Sequence, residues 1–219
     1  MSTEERRKAR WITRHWPLVS GVSAVGLAAA GGAVIAFRGT DVEFDTEWND
    51  GLLETRSPYF EVPARLMDFL GGGWFGVLAV PILVAVLLIL TKHRWGALYF
   101  VIASALSAGV VQLLKNLFDR ARPEDILVVA DHGSFPSGHV ANAATIAVTL
   151  GIILRRTWVW IGGVAYAVLM MLSRTYLGAH WLSDTVGGLL VGAGMAVVVW
   201  APFAARLQRE RTQRDRVAA

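Results

Sequence analysis

The sequence predicts an all-α integral membrane protein: a bundle of six transmembrane helices, with a short interfacial helical segment between the first and second. Two observations carry this. Of the 219 residues 54% are hydrophobic and only 17% charged, with a mean hydropathy of +0.47, too little charge to cover a soluble domain of this size. The charges are also missing in blocks. Stretches without Asp, Glu, Lys or Arg run for 22 residues between His15 and Arg38, 23 between Asp68 and Lys92 and 20 between Arg94 and Lys115. Others run for 15 between His139 and Arg155, 17 between Arg156 and Arg174, and 21 between Asp184 and Arg206. About 20 apolar residues in a helix cross the hydrocarbon layer.

In chain order, a basic N-terminal segment precedes helix 1 at 17–37, whose 22-residue apolar run exceeds the roughly 7–15 of a signal peptide, so a retained helix is expected. A polar segment at 38–70 follows, in which Phe60, Val62, Leu66, Met67, Phe69 and Leu70 suit either an amphipathic stretch lying in the interface or a loop packed on the bundle. Helices 2 and 3 are expected at 72–91 and 95–115, joined by a basic turn. A loop at 116–136 leads to helix 4 at 137–154, then helices 5 and 6 at 157–173 and 181–205. With no internal repeat or linker, residues 1–219 read as one domain, with basic tails at 1–15 and 206–219 and a catalytic core over 40–205.

Short cytoplasmic loops collect Lys and Arg. One side of the alternating topology holds both termini, the Lys92/Arg94 turn and Arg155/Arg156, 14 of the 21 basic residues. The other holds Arg38, Arg56, Arg65, Lys115, Arg120, Arg122 and Arg174, with the acidic Asp41, Glu43, Asp45, Glu47, Asp50 and Glu54. Both termini are therefore expected in the cytoplasm of a cell-membrane protein. The basic balance of +4 lies at the ends of apolar runs, where anionic lipid meets it, so no nucleic-acid partner is expected. Cysteine is absent, which removes disulfides and thiolate metal sites.

The alternation gathers unusual residues at one membrane face. Lys115 ends helix 3 and Arg122-Pro123 follows it. Pro136-Ser137-Gly138-His139 opens helix 4, Ser173-Arg174 ends helix 5, and His180 opens helix 6 with Asp184 one turn later. Singly, each has an ordinary reading: snorkelling end-cap cations, a loop dipeptide, a helix N-cap, interfacial histidines. Asp184 is the hardest to dismiss, since inside an apolar helix it needs a partner, and His180 stands four residues before it. Together they suit a phosphoryl group. Lys115, Arg122 and Arg174 would clamp its oxygens, and amides around Ser137, Gly138 and His139 would add donors. His180, with Asp184 taking the proton of one ring nitrogen, would attack phosphorus to form a phosphohistidine. His139 would protonate the leaving oxygen and then activate water.

These residues resemble a known family. Lys115-x6-Arg122-Pro123, Pro136-Ser137-Gly138-His139 and Ser173-Arg174-x5-His180-x3-Asp184 are similar, without departure, to the three-part signature of the type 2 phosphatidic acid phosphatase superfamily, which also contains vanadium-dependent haloperoxidases. The resemblance covers roughly residues 40–205. It implies a six-helix core, catalysis with no cofactor or metal, and the roles given above. It also implies a lipid phosphate substrate, with undecaprenyl (polyprenyl) diphosphate foremost. Phosphatidic acid, phosphatidylglycerol phosphate and diacylglycerol pyrophosphate are alternatives, because nothing in the helices separates isoprenoid from acyl tails. A metal hydrolase using His132, His139, His180 and Asp184 is disfavoured by the adjacent cations. A non-catalytic lipid-phosphate binder or transporter would need the cations but not the histidines.

Overall fold

The computed structural model describes residues 3–39 and 42–218, with side chains described over 15–39 and 42–216; Asp41 of the acidic segment and most of the basic N-terminal tail's side chains lie outside them. Helices are the regular elements among the described residues, with no strand. The elements are α1 (Thr3–Arg38), α2 (Glu43–Glu54), α3 (Pro58–Gly71), a π turn (Phe75–Ala79) continuing into α4 (Val80–Leu90), α5 (Arg94–Phe118), α6 (Gly138–Leu154), α7 (Thr157–Tyr176) and α8 (Leu182–Ala218).

Among the described residues, four helical stretches are long and apolar enough to cross a membrane: His15–Arg38, Arg94–Phe118, Thr157–Tyr176 and Leu182–Arg216. α3 and the π turn with α4 make a fifth if counted as one span, bent by 50° at the break between them. α6 is apolar but only 17 residues long. Both expected tails are continuations of helices: α1 begins at Thr3, and α8 runs 37 residues through the basic segment. The polar segment at 38–70 holds two helices. On α3, Tyr59, Phe60, Val62, Leu66 and Phe69 are exposed, whereas Met67 packs on the buried Val140, Ala143 and Met170. One helix thus serves both readings of that stretch.

The expected helix 2 is broken at its start by Gly71-Gly72-Gly73. Gly73 takes a left-handed φ of +55°, which glycine adopts at little cost, and the chain re-enters helix through the π turn. Asn142 of α6 donates to the carbonyl of Gly76 at 2.9 Å, meeting an acceptor loosened by the irregular ladder. This break lies directly against the candidate site.

α8 is the central helix, packed on α1, α5, α6 and α7. Lipid tails are as apolar as Leu, so helices in a membrane gain from close backbone approach rather than from the hydrophobic effect. Gly188 and Gly192 supply it: a Cβ on either would overlap the Ser137 or Ala141 carbonyl of α6. Gly21 meets Gly194 in the same way, and Ala28 lies with Val191. α1 and α8 therefore run antiparallel, with the start of α1 and the end of α8 at the end of the bundle away from His180. There the last turns of α8 fold onto the α4–α5 turn: Glu210 accepts from the Trp95 amide at 2.8 Å, and Arg206 lies 4.9 Å over the Trp95 ring.

Candidate active site

The other end of the bundle gathers the polar residues. Lys115 stands in the last turn of α5, Ser137 precedes α6 and His139 opens it, Arg174 lies in the last turn of α7, and Asp184 in the first turn of α8. Arg122 reaches in from the loop between α5 and α6. Lys115, Ser137, Arg174, His180 and Asp184 are all at most 3% exposed. Buried charge on this scale requires partners.

His180 sits in the turn before α8, which starts at Leu182, so it does not share a helical face with Asp184 as expected from their spacing. The turn is shaped by the Arg174 carbonyl, which accepts from the Ala179 and His180 amides at 3.1 and 3.2 Å. Nε2 of His180 faces Nη1 of Arg122 at 3.4 Å. A guanidinium only donates, so that geometry suits an Nε2 carrying a lone pair and an Nδ1 carrying the proton. Nδ1 points at Asp184 Oδ2, but at 3.5 Å the contact is electrostatic rather than a formed hydrogen bond. Burial, reinforced by Arg174, Arg122 and Lys115, pushes the imidazole well below the ordinary histidine range; the ring is neutral at neutral pH.

Asp184 is held chiefly by residues outside the signature. Oδ1 accepts from Arg120 Nη1 at 2.6 Å, and Oδ2 accepts from the Trp181 amide at 2.9 Å and from the Ser134 hydroxyl. Arg120 in turn donates to Asp45 of α2 at 2.8 Å, and Asp45 also accepts from the Ser183 amide at 2.8 Å. Asp45, grouped by sequence with an external acidic segment, is 1% exposed, and Arg120 4%.

The three expected cations converge, each beside a carboxylate. Arg122 Nη2 donates to Asp131 at 2.7 Å and to the Gly133 carbonyl at 2.9 Å. Lys115 Nζ donates to Gly133 at 2.5 Å and lies 3.4 Å from Asp131. Arg174 pairs with Asp68 at the end of α3, and the same carboxylate lies 3.0 Å from Nε2 of His139. Ser137 stands at the N-cap position without making the cap bond expected of it. Its amide donates to the Asp184 carbonyl at 2.9 Å, while its hydroxyl is buried with no protein partner. The Ser137 amide, expected as a donor, is therefore already taken, while the amides of Gly138 and His139 open α6, where backbone N–H groups have no intrahelical acceptor.

Sequence reasoning thus missed Asp68, Arg120, Asp45, Ser134 and Asp131. Asp68 bounds a charge-free run, and Arg120 stands two residues before Arg122; in sequence these signals mark a helix end and a membrane side but not a site. His132 of the metal alternative pairs with Asp119 at 2.9 Å, both largely exposed, rather than joining the buried pair.

An all-helical membrane-type bundle that gathers His180, Lys115 and Arg174, all buried, with the half-buried His139 and Arg122 at one end defines the class. The PAP2 superfamily profile matches residues 96–207, and the chain belongs to that superfamily. It is 32% identical over 117 residues to an undecaprenyl-diphosphatase of Sulfolobus acidocaldarius, covering 50% of this chain and 56% of that one. To phosphatidylglycerophosphatase B of Bacillus subtilis it is 26% identical, covering 63% and 72%. The crystal structure of the first transmembrane PAP2-type phosphatidylglycerolphosphate phosphatase from Bacillus subtilis superposes with a TM-score of 0.71 at 24% identity. That superposition covers 83% of this chain and 94% of that one.

Proposed function

We propose that the chain is a metal-independent lipid phosphate phosphatase working through a phosphohistidine on His180. The observation that carries this is the setting of that ring: neutral, 3% exposed, its Nε2 beside Arg122 and its Nδ1 toward Asp184. A neutral imidazole is a nucleophile, and the surrounding cations favour an approaching phosphate. Lys115, Arg122 and Arg174 would bind the equatorial oxygens, with the Ser137 hydroxyl and the Gly138 and His139 amides as further donors. His180 Nε2 forms a bond to phosphorus as the bond to the leaving oxygen breaks, and His139 gives that oxygen a proton. Water then loses a proton to His139, attacks phosphorus and frees His180. The same cations oppose a divalent metal ion at this position.

We place six crossings in the membrane, α3–α4 serving as one bent span and α6 as the sixth. At about 1.5 Å per residue, the 17 residues of α6 reach roughly 26 Å, close to the hydrocarbon thickness. The distribution of basic residues supports termini in the cytoplasm and a site on the external face. The substrate is then a lipid with its tail in the bilayer and its phosphate in the outer interface. Undecaprenyl diphosphate, cleaved to the monophosphate, is the first choice, supported by the Sulfolobus relative's name. Phosphatidylglycerol phosphate, supported by the Bacillus name, phosphatidic acid and diacylglycerol pyrophosphate follow.

The test is phosphate release by the detergent-purified full chain from these lipids in excess EDTA, beside His180→Ala. Release that survives EDTA and disappears in the variant is expected, with the order of rates naming the substrate. Release abolished by EDTA would overturn the mechanism, and none from any lipid would favour a binder.

A further inference from the structure

Resting on the phosphohistidine reading above, we propose that Asp68 is a positioning residue for acid–base chemistry at His139: its carboxylate fixes a proton on Nε2 and so presents Nδ1 to the oxygen that leaves phosphorus. Asp68 belongs to none of the sequence motifs. It ends α3, and the Gly71-Gly72-Gly73 break that follows lets the backbone lie directly on the imidazole. A Cβ on Gly72 would overlap Nε2 and Cε1 of His139, and one on Gly71 would come within 3.2 Å of Cδ2. From this seat two oxygens of Asp68 address the same nitrogen, Oδ1 at 3.0 Å and the backbone carbonyl at 3.1 Å.

Both oxygens are acceptors, so Nε2 is the nitrogen that holds a proton, and Nδ1 is left to exchange one with substrate. When the ring is protonated, the Asp68 carboxylate balances its charge, as a carboxylate does behind the imidazole of a serine hydrolase. The other charges facing His139 are few. Arg174 of α7 shares Oδ1 of Asp68, His180 is the second ring in the site, and α6 itself carries no charged side chain from Gly138 to Leu154. The site therefore contains two His–Asp pairs, His180 with Asp184 for attack and His139 with Asp68 for proton transfer.

The proton balance follows from that tautomer. As the His180 Nε2–phosphorus bond forms and the bond to the leaving oxygen breaks, the proton on Nδ1 of the His139 imidazolium passes to that oxygen. The product is an alcohol from a phosphomonoester or a lipid monophosphate from a diphosphate, and His139 is left neutral with its remaining proton on Nε2. In the second half, water gives a proton to Nδ1, its oxygen bonds to phosphorus, and the nitrogen–phosphorus bond breaks.

Asp68 also neutralises Arg174, and the two roles separate by leaving group. Up to formation of the phosphohistidine, the step that kcat/KM reports, Arg174 would act on the phosphate common to every substrate and the His139 ring only on the departing oxygen. The experiment compares kcat/KM of wild type and Asp68→Asn on phosphatidic acid, whose alkoxide needs a proton, and on p-nitrophenyl phosphate, whose phenolate leaves without one. General acid catalysis contributes about 10²-fold or more. The expected result is a loss of at least about 100-fold on phosphatidic acid and under about 10-fold on the aryl ester. Asp68→Glu, which keeps the charge but moves it, shows the same split at smaller amplitude and carries the test if the Asn variant fails to fold. Equal losses on both substrates, or an undiminished rate on phosphatidic acid, overturn the assignment. His180→Ala in parallel separates the levels. Retained turnover there defeats the phosphohistidine reading itself, whereas lost turnover there with equal losses in the Asp68 variants defeats only the role of Asp68.

Discussion

Gly72→Ala tests the seat of His139 with a single methyl group. Gly72 has φ −139° and ψ −168°, extended backbone that alanine adopts without strain, so the whole effect is steric. The new Cβ would lie 2.9 Å from Cδ2 of His139 and closer still to Nε2 and Cε1, against an ordinary carbon contact of about 3.5–4.0 Å. The ring must retreat by about an ångström or more, because Gly72 is held through its amide to the Asp68 carbonyl at 3.0 Å. Such a shift stretches the 3.0 Å contact to Asp68 beyond hydrogen-bonding range. Misplacing a reacting group by an ångström costs about 10²-fold, or about 2.7 kcal/mol of barrier. His139 lies at the edge of the core, so the fold itself should change little. The assay is phosphate release beside thermal unfolding of the same detergent-purified sample. Wild-type kcat in a folded Gly72→Ala protein would refute both the seat and the part given to His139 in turnover.

Asp45→Ala removes one partner of a fully buried pair and should destabilise the protein by about 3–5 kcal/mol. It should also lower kcat more than it raises KM, since Arg120 then holds Asp184 without its counterweight; wild-type unfolding behaviour would sink the network. Gly192→Ala drives a Cβ into the Ala141 carbonyl and should cost about 1–3 kcal/mol by overpacking α6 against α8, read from unfolding midpoints. The pH dependence follows from His180. Its folded ring stays neutral below the ordinary 6.5 while the unfolded chain takes up a proton. Stability from this group is therefore full above about pH 6.5 and falls as the pH drops below it, by up to about 1.4 kcal/mol per pH unit. An acid limb of kcat/KM well below pH 6.5 accompanies it, and a limb at 6.5 or higher would contradict the buried neutral nucleophile.

The sequence by itself determined the all-helical membrane class and picked out the polar residues that gather at one end of the bundle, because both are written in local patterns. Charge-free runs register whether or not a neighbour packs on them, and Lys115, Arg122, His139, Arg174, His180 and Asp184 stand at helix ends or in the connections beside them, which alternation assigns to one face. The bent entry into α4, the burial of Asp45 and the pairing of Asp68 with His139 follow no such pattern. Each depends on contacts across long sequence separations: Asp45 to Ser183 spans 138 residues, and Asp68 to His139 spans 71. An isolated Asp near a helix end reads as surface, since nothing local shows that another helix will close over it. The tertiary structure decided those partners, because a buried charge is tolerated only where packing brings its counterion within reach.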